Sequence, residues 1–408
     1  MDNMTAALVG GLFDESGISA YARPVLFGTA GDAVRDALPD AVEKCYFVHD
    51  EREPELAGAE SLALDKNNRF ASLKALPECG HVLVLAAPFG LAEEDALFHL
   101  AETHVTTGYG VSVLAAEQQG FDAEGQPVPR DTHCFAALFT FDMLKKALES
   151  GADTLDGLVA AAVAAGAQKG VAITNKIYPI NDGAASFMAQ TTMMQRINFG
   201  LIKKGVQIFD PTNTYIAPDA DIAPGAVILP GCHIRPGCKV GAGAVIGPNT
   251  ILEKAEIGAG TTVNNSQVYE STVGSNTTVG PFAYIRPQSV VGDGCRIGDF
   301  VELKKSTIGN GTKVPHLSYV GDADLGEHTN IGGGTITANY DGVHKHHTTI
   351  GSNVHVGAGN LFVAPVEVGS GVTTGAGSVV RHDVPDDSMV YSENTQHIVE
   401  GWKPAWER

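Results

Sequence analysis

Positive charge is scarce in this chain: 27 Lys and Arg stand against 47 Asp and Glu, a net charge of −20 over 408 residues. A nucleic-acid partner is not expected, because phosphate binding needs a basic face. No apolar run reaches the ~18 residues that a membrane helix needs, so membrane insertion is not expected either. The opening MDNMTAALVG holds no basic stretch ahead of its apolar one, which speaks against a secretory signal. No two of the six cysteines (Cys45, Cys79, Cys134, Cys232, Cys238, Cys295) form a CxxC pair. Free thiols in a reducing cytoplasm are therefore expected, rather than a disulfide framework or zinc.

What the chain does hold is an aliphatic residue at every sixth position from about 216 to 380. Ile216, Ile222, Ile228, Ile234, Val240 and Ile246 open the series, in phrases such as IAPDAD, IAPGAV and IRPGCK. It resumes at Val273, Val279, Ile285, Val291, Ile297 and Leu303, and closes with Val356, Phe362, Val368, Thr374 and Val380. Neither the helical period nor plain alternation gives this spacing. A six-residue period with Gly, Pro, Asn or Asp at the corners predicts a parallel β-helix of hexapeptide repeats. Three hexads make one coil, and roughly nine coils stacked ~4.8 Å apart predict a prism on the order of 45 Å long.

The length allows a second domain, and the first half reads as α/β. Candidate strands are 7–9, 44–48, 81–86 and 110–115. Candidate helices lie near 31–38, 92–102, 141–148 and 154–165. A longer helix is expected over 184–204, with Phe187, Thr191, Met194, Ile197 and Leu201 along one side. The expected boundaries are 1–183 for the α/β domain, 184–210 for a linker helix, 211–384 for the β-helix and 385–408 for a tail. The glycine pair in ALVGG, after the first strand, is a faint phosphate-loop candidate, short of GxGxxG and without a following lysine.

Chemistry on a β-helix is expected where the repeat breaks, and the breaks cluster between Pro281 and Thr349. Arg286, Glu302, Lys304, Lys305, His316, Tyr319, Asn330, Asn339, Tyr340 and Lys345 gather there. Thr337 to Thr349 does not fit as hexads and is expected to be a loop. Arg286 and Lys304, eighteen residues apart, would stack one coil apart as a clamp for an anion such as a phosphate. His316 is a candidate base for an attacking amine. His344, His346 and His347 bunch in one loop, which suits a solvated tip better than metal ligands on fixed faces, and no metal is expected.

The phrases GPFAYIRP, GDFVELKKSTIGNGTKVPHLSYVGDADLG, TNIGGGTITANYDGVHKHHTTIG and TQHIVEGW resemble the bifunctional bacterial enzymes that make UDP-N-acetylglucosamine. The resemblance runs from about Ile257 to Trp402. It implies a left-handed β-helix that acetylates glucosamine 1-phosphate with acetyl-CoA, behind a uridyltransferase domain, in a cytoplasmic homotrimer. Position by position it implies that His316 is the base and that Arg286, Lys304, Tyr319 and Asn330 hold the sugar phosphate. Gly333, Asn339, Tyr340, Ala358 and Ala376 fall where the family contacts acetyl-CoA. Gly333 replaces an alanine, Ala358 a serine, and Glu393 an arginine that meets the CoA phosphates. An acidic residue there would repel them.

The first half departs further from the family. ALVGGLFDESG replaces the glycine-rich phosphate loop, Arg23 precedes Pro24 with no lysine behind it, and Pro88 stands for the metal-binding aspartate. A later metal-binding asparagine is replaced near Ser186. A degenerate, nucleotidyltransferase-like domain without uridyl transfer is expected, since nothing would neutralise triphosphate charge. The alternatives are an N-acyltransferase for another amino-sugar phosphate or nucleotide sugar, and a non-catalytic trimer that binds sugar nucleotide.

Overall fold

A computed structural model describes residues 3–13, 17–86, 90–91, 96–121, 127–174, 178–180, 183–393 and 395–407. The chain divides into two compact units, Met1–Met193 and Met194–Arg408.

The first unit is a seven-stranded sheet with helices on both faces. Its strands are β1 (Met4–Val9), β2 (Val42–His49), β3 (Glu60–Ala63), β4 (His81–Ala86), β5 (Val111–Phe121), β6 (Pro127–Thr140) and β7 (Lys169–Ile173). The sheet order is β7-β5-β6-β4-β1-β2-β3, and β6 alone runs antiparallel to its neighbours. β1 is apolar but for Thr5 because it is buried on both sides, with Leu8 between Phe47 and Leu85.

Helices α1 (Ala30–Asp36) and α2 (Ala96–Thr107) accompany α3 (Phe141–Glu149) and α4 (Leu155–Ala164). Leu83, Leu97 and Leu100 fill one core, and Val84, Phe139, Leu144 and Leu158 another. Thr29 and Asp32 form a reciprocal capping box at the start of α1.

Three strands here escape the sequence reading. β3 is mostly exposed, β6 opens on PVPRDTH, which hides it behind two prolines, and β7 is only five residues long. Among the described residues α2 starts at Ala96 and runs on to Thr107, five residues past its expected end. The last helix, α5 (Gly183–Lys203), spans the boundary between the units. Its expected inner stripe is corrected at one position: Met194 and Leu201 are buried, but Phe187 is 63% exposed.

The second unit is a prism of short parallel strands on three faces. One face carries seven strands, from Gln207–Ile208 to Lys313–His316, and then three more, from His355–Val356 to Met389–Val390. The second face carries ten strands from Tyr215–Ile216 to Val379–Val380, and the third nine. Ten rungs thus stand where about nine were expected. The ladders start at Gln207 and run to Val390, on either side of the expected 211 and 384.

The apolar residues of the hexads face inward: Ile216, Ile228, Ile285 and Phe362 are fully buried. Corner residues explain the rest of the repeat. A Cβ on Gly258 would lie 2.5 Å from the carbonyl carbon of Gly274, so successive corners stack backbone on backbone. Buried hydroxyls tie the corners together, as where Thr277 donates to the Gly292 carbonyl at 2.9 Å. The expected loop is shorter than 337–349, because Thr337 lies in strand Ile336–Ala338 and Thr348 and Thr349 in Thr348–Ile350.

Candidate active site

Two groups of side chains stand on neighbouring faces where the repeat is interrupted. The first is centred on Lys304, at the end of strand Glu302–Lys304. Lys304 is buried, and its Nζ lies 2.8 Å from Asp322 Oδ2. Asn339 donates to the same carboxylate oxygen, and its amide nitrogen lies 3.4 Å from the Tyr319 hydroxyl. Burial raises the Asp322 carboxyl, but the bonds from Lys304 and Asn339 outweigh it and hold it below the usual range. For Lys304, burial works against the charge and the bond to Asp322 reverses the balance, so its value is raised.

Lys345 completes this group from the excursion. The charge of Lys304 beside it pulls Lys345 below the ordinary lysine value. Lys345 thus adds a second positive charge near the Lys304–Asp322 pair, an arrangement that a bound anion would neutralise. Arg286 lies on the preceding rung, where Ile285 pairs with Leu303. Its guanidinium meets Glu302 at 2.8 Å and packs over the Tyr284 ring. Lys345 is thus a further cation near Lys304, in addition to Arg286 on the preceding rung.

The second group starts at His316. Asp299 and His316 sit opposite each other on adjacent rungs, with Nδ1 2.7 Å from Asp299 Oδ1. That bond holds the Asp299 carboxyl below its usual range. A Cβ on Gly333 would lie 3.4 Å from His316 Cβ, which puts Gly333 directly over the histidine. Gly359 N donates to Gly333 O and Gly377 N to Ala358 O, both at 2.8 Å, so Gly333, Ala358 and Ala376 belong to one corner column above His316.

Asn330 bridges Lys313 and His355 on the face that carries His316. Only Leu317 and Ser318 separate His316 from Tyr319, so the two groups flank one corner. Tyr340 is exposed, with its hydroxyl donating to Gly342 O at 2.6 Å. Glu393 is exposed beyond the last rung.

Asp299 and Asp322 are the residues that sequence reasoning missed. Each is an acidic partner one rung away from a predicted residue, at a separation of 17 or 18 positions. His346 pairs with Asp341 at 2.7 Å and His347 with Asp324 at 3.0 Å. Among the described residues no group of three His, Cys, Asp or Glu could hold a metal ion.

In the first unit, Gly10 and Gly11 follow β1, and the space there is taken by Glu53. The buried Glu53 carboxylate accepts from Gly11 N and Asp50 N, both at 2.9 Å, and from the Ser19 hydroxyl. Ser186, in the first turn of α5, donates to Pro24 O at 2.6 Å. Pro88 lies outside the described residues.

A hexapeptide prism with paired ionic side chains at its broken rungs, one pair of them buried, defines a transferase of the hexapeptide class. The model "bacterial transferase hexapeptide (six repeats)" matches residues 219–254, and "GMPPB C-terminal domain" matches 267–368. The bifunctional protein GlmU of Bifidobacterium longum (strain NCC 2705) is 46% identical over 360 residues, covering 81% of this chain and 78% of the relative. GlmU of Bifidobacterium adolescentis is 61% identical over 207 residues, covering 51% and 45%, and that of Corynebacterium aurimucosum 36% identical over 365, covering 81% and 74%. The chain belongs to the family of the bifunctional protein GlmU. It is accordingly an acyltransferase of the N-acetyltransferase type, with a nucleotidyltransferase-like α/β domain ahead of its hexapeptide repeats.

Proposed function

We propose that the prism transfers the acetyl group of acetyl-CoA to the amine of glucosamine 1-phosphate. The observation that carries this reading is the buried Lys304–Asp322–Asn339 cluster, one corner away from His316, with Arg286 on the preceding rung. In this reading Arg286, Lys304 and Lys345 meet the phosphate, and Tyr319 and Asn330 orient the sugar. His316 takes the proton that the amine releases as it attacks the thioester. Gly333, Asn339, Tyr340, Ala358 and Ala376 line the donor side, and amides of the glycine-rich turn donate to the developing oxyanion.

The working form is a homotrimer in the cytoplasm. This is supported by Phe282, Phe300 and Leu317, three exposed apolar residues in left-handed backbone at the corner beside His316. The two phenyl rings stack at 5.4 Å, and a second copy would cover them.

The first unit, in the same reading, no longer transfers uridylate. Support comes from Glu53, whose carboxylate occupies the amide of Gly11 where a nucleotide phosphate would have to sit. The test supplies acetyl-CoA and glucosamine 1-phosphate, follows free CoA with a thiol reagent, then adds UTP and follows pyrophosphate. CoA release without pyrophosphate is expected. Pyrophosphate release would overturn the second part, and absence of CoA release the first.

A further inference from the structure

We infer that Asp299 is a positioning residue for His316, fixing which imidazole nitrogen carries the proton. The inference rests on the reading of His316 as the base. His316 Nδ1 lies 2.7 Å from Asp299 Oδ1, and an ionised carboxylate can only accept, so Nδ1 carries the hydrogen of this bond. The neutral ring then has its lone pair on Nε2, the nitrogen left to receive a proton.

The backbone holds the arrangement in place. Asp299 ends strand Arg296–Asp299, His316 ends strand Lys313–His316 one rung above, and the two are direct ladder partners. Leu317 N donates to Asp299 O at 2.9 Å, which pins the chain just after the histidine to the same residue. The remaining charge acting on Asp299 is Arg296 on its own strand, which also favours the ionised carboxylate.

In the reaction the amine nitrogen forms a bond to the thioester carbonyl carbon and its proton passes to His316 Nε2. The carbon–sulfur bond breaks, the sulfur departs with the electron pair and takes the proton back from Nε2. The imidazolium present between these two transfers lies against the Asp299 carboxylate, which favours it, and the ring returns to the Nδ1–H form.

The test compares Asp299→Ala, Asp299→Asn and His316→Ala in the full chain. Asp299→Ala is expected to lower kcat about 10- to 100-fold and to leave both KM values within about twofold, with Asp299→Asn between it and wild type. Nitrogen NMR of ¹⁵N-histidine-labelled protein, with His316→Ala assigning the resonance, is expected to show the Nδ1–H tautomer in wild type and a shift toward Nε2–H in Asp299→Ala. An unchanged kcat and tautomer in Asp299→Ala, with His316→Ala inactive, would overturn the role of Asp299 alone. Full turnover in His316→Ala would overturn the base assignment, and the tautomer would still judge Asp299 separately. Should Asp299→Ala fail to fold, the near-isosteric Asp299→Asn gives the same readouts.

Discussion

Lys304 and Asp322 meet across one rung of the prism at 2.8 Å, with both side chains largely withdrawn from solvent. Asn339 holds the same carboxylate, and Lys345 lies near enough for the Lys304 charge to lower it from the ordinary lysine value. Lys304→Ala removes the buried cation and leaves Asp322 with the hydrogen bond from Asn339 and the more distant charge of Lys345. It is expected to lower kcat/KM for the sugar phosphate about 100-fold, or about 2.7 kcal/mol, while the KM for the acyl donor stays within about twofold. Steady-state kinetics with each substrate varied in turn checks this.

His104 makes the first unit sensitive to acid. It is fully buried, with Nδ1 2.9 Å from the Ser112 hydroxyl and its ring edge-on to His81. Burial, aided by His81, pushes it down to about 4. The unfolded histidine titrates near ~6.5, so between these values the unfolded chain binds a proton that the folded chain refuses. The contribution is whole above about pH 6.5 and is lost as pH falls toward 4, by up to about 3 kcal/mol. Urea unfolding at pH 7.5 and 5 should show a lower midpoint at pH 5, and a smaller difference in His104→Leu.

Phe362 is a fully buried aromatic residue in the prism interior, between Thr337 on one rung and Val380 on the next. Phe362→Ala opens a cavity that flanking rungs, locked by ladder hydrogen bonds, can close only in part. A loss of about 3–5 kcal/mol is expected in denaturant unfolding of the second unit.

Glu53→Ala removes the acceptor for Gly11 N, Asp50 N and the Ser19 hydroxyl together. Stranding these donors is expected to cost about 2–4 kcal/mol in urea unfolding of the first unit. A variant as stable as wild type would show that solvent replaces the carboxylate freely.

Much of the prism was legible because its period is set by packing. One side chain, aliphatic at most strands, must enter the interior at each strand, so most of the series from Ile216 to Val380 announces itself in the sequence. The first unit was less legible, because β3 has little to bury and β6 begins on prolines and charges. At the site, the residue types around Lys304 and His316 stood out as polar groups in a broken repeat. Their partners Asp299 and Asp322 did not, because an acidic residue in GDF or GDAD reads as an ordinary corner. That Lys345 comes near Lys304 depended on the path of the excursion that carries it, and hexad counting stops where that excursion begins.

The most direct measurement compares initial rates of CoA release from acetyl-CoA with glucosamine 1-phosphate and with glucosamine, in wild type and in His316→Ala. Rapid release with the phosphorylated sugar, little with the free sugar, and a loss of about 100-fold or more in His316→Ala are expected. Equal rates with both sugars, or full turnover in His316→Ala, would contradict the cation cluster as the phosphate site or His316 as the base.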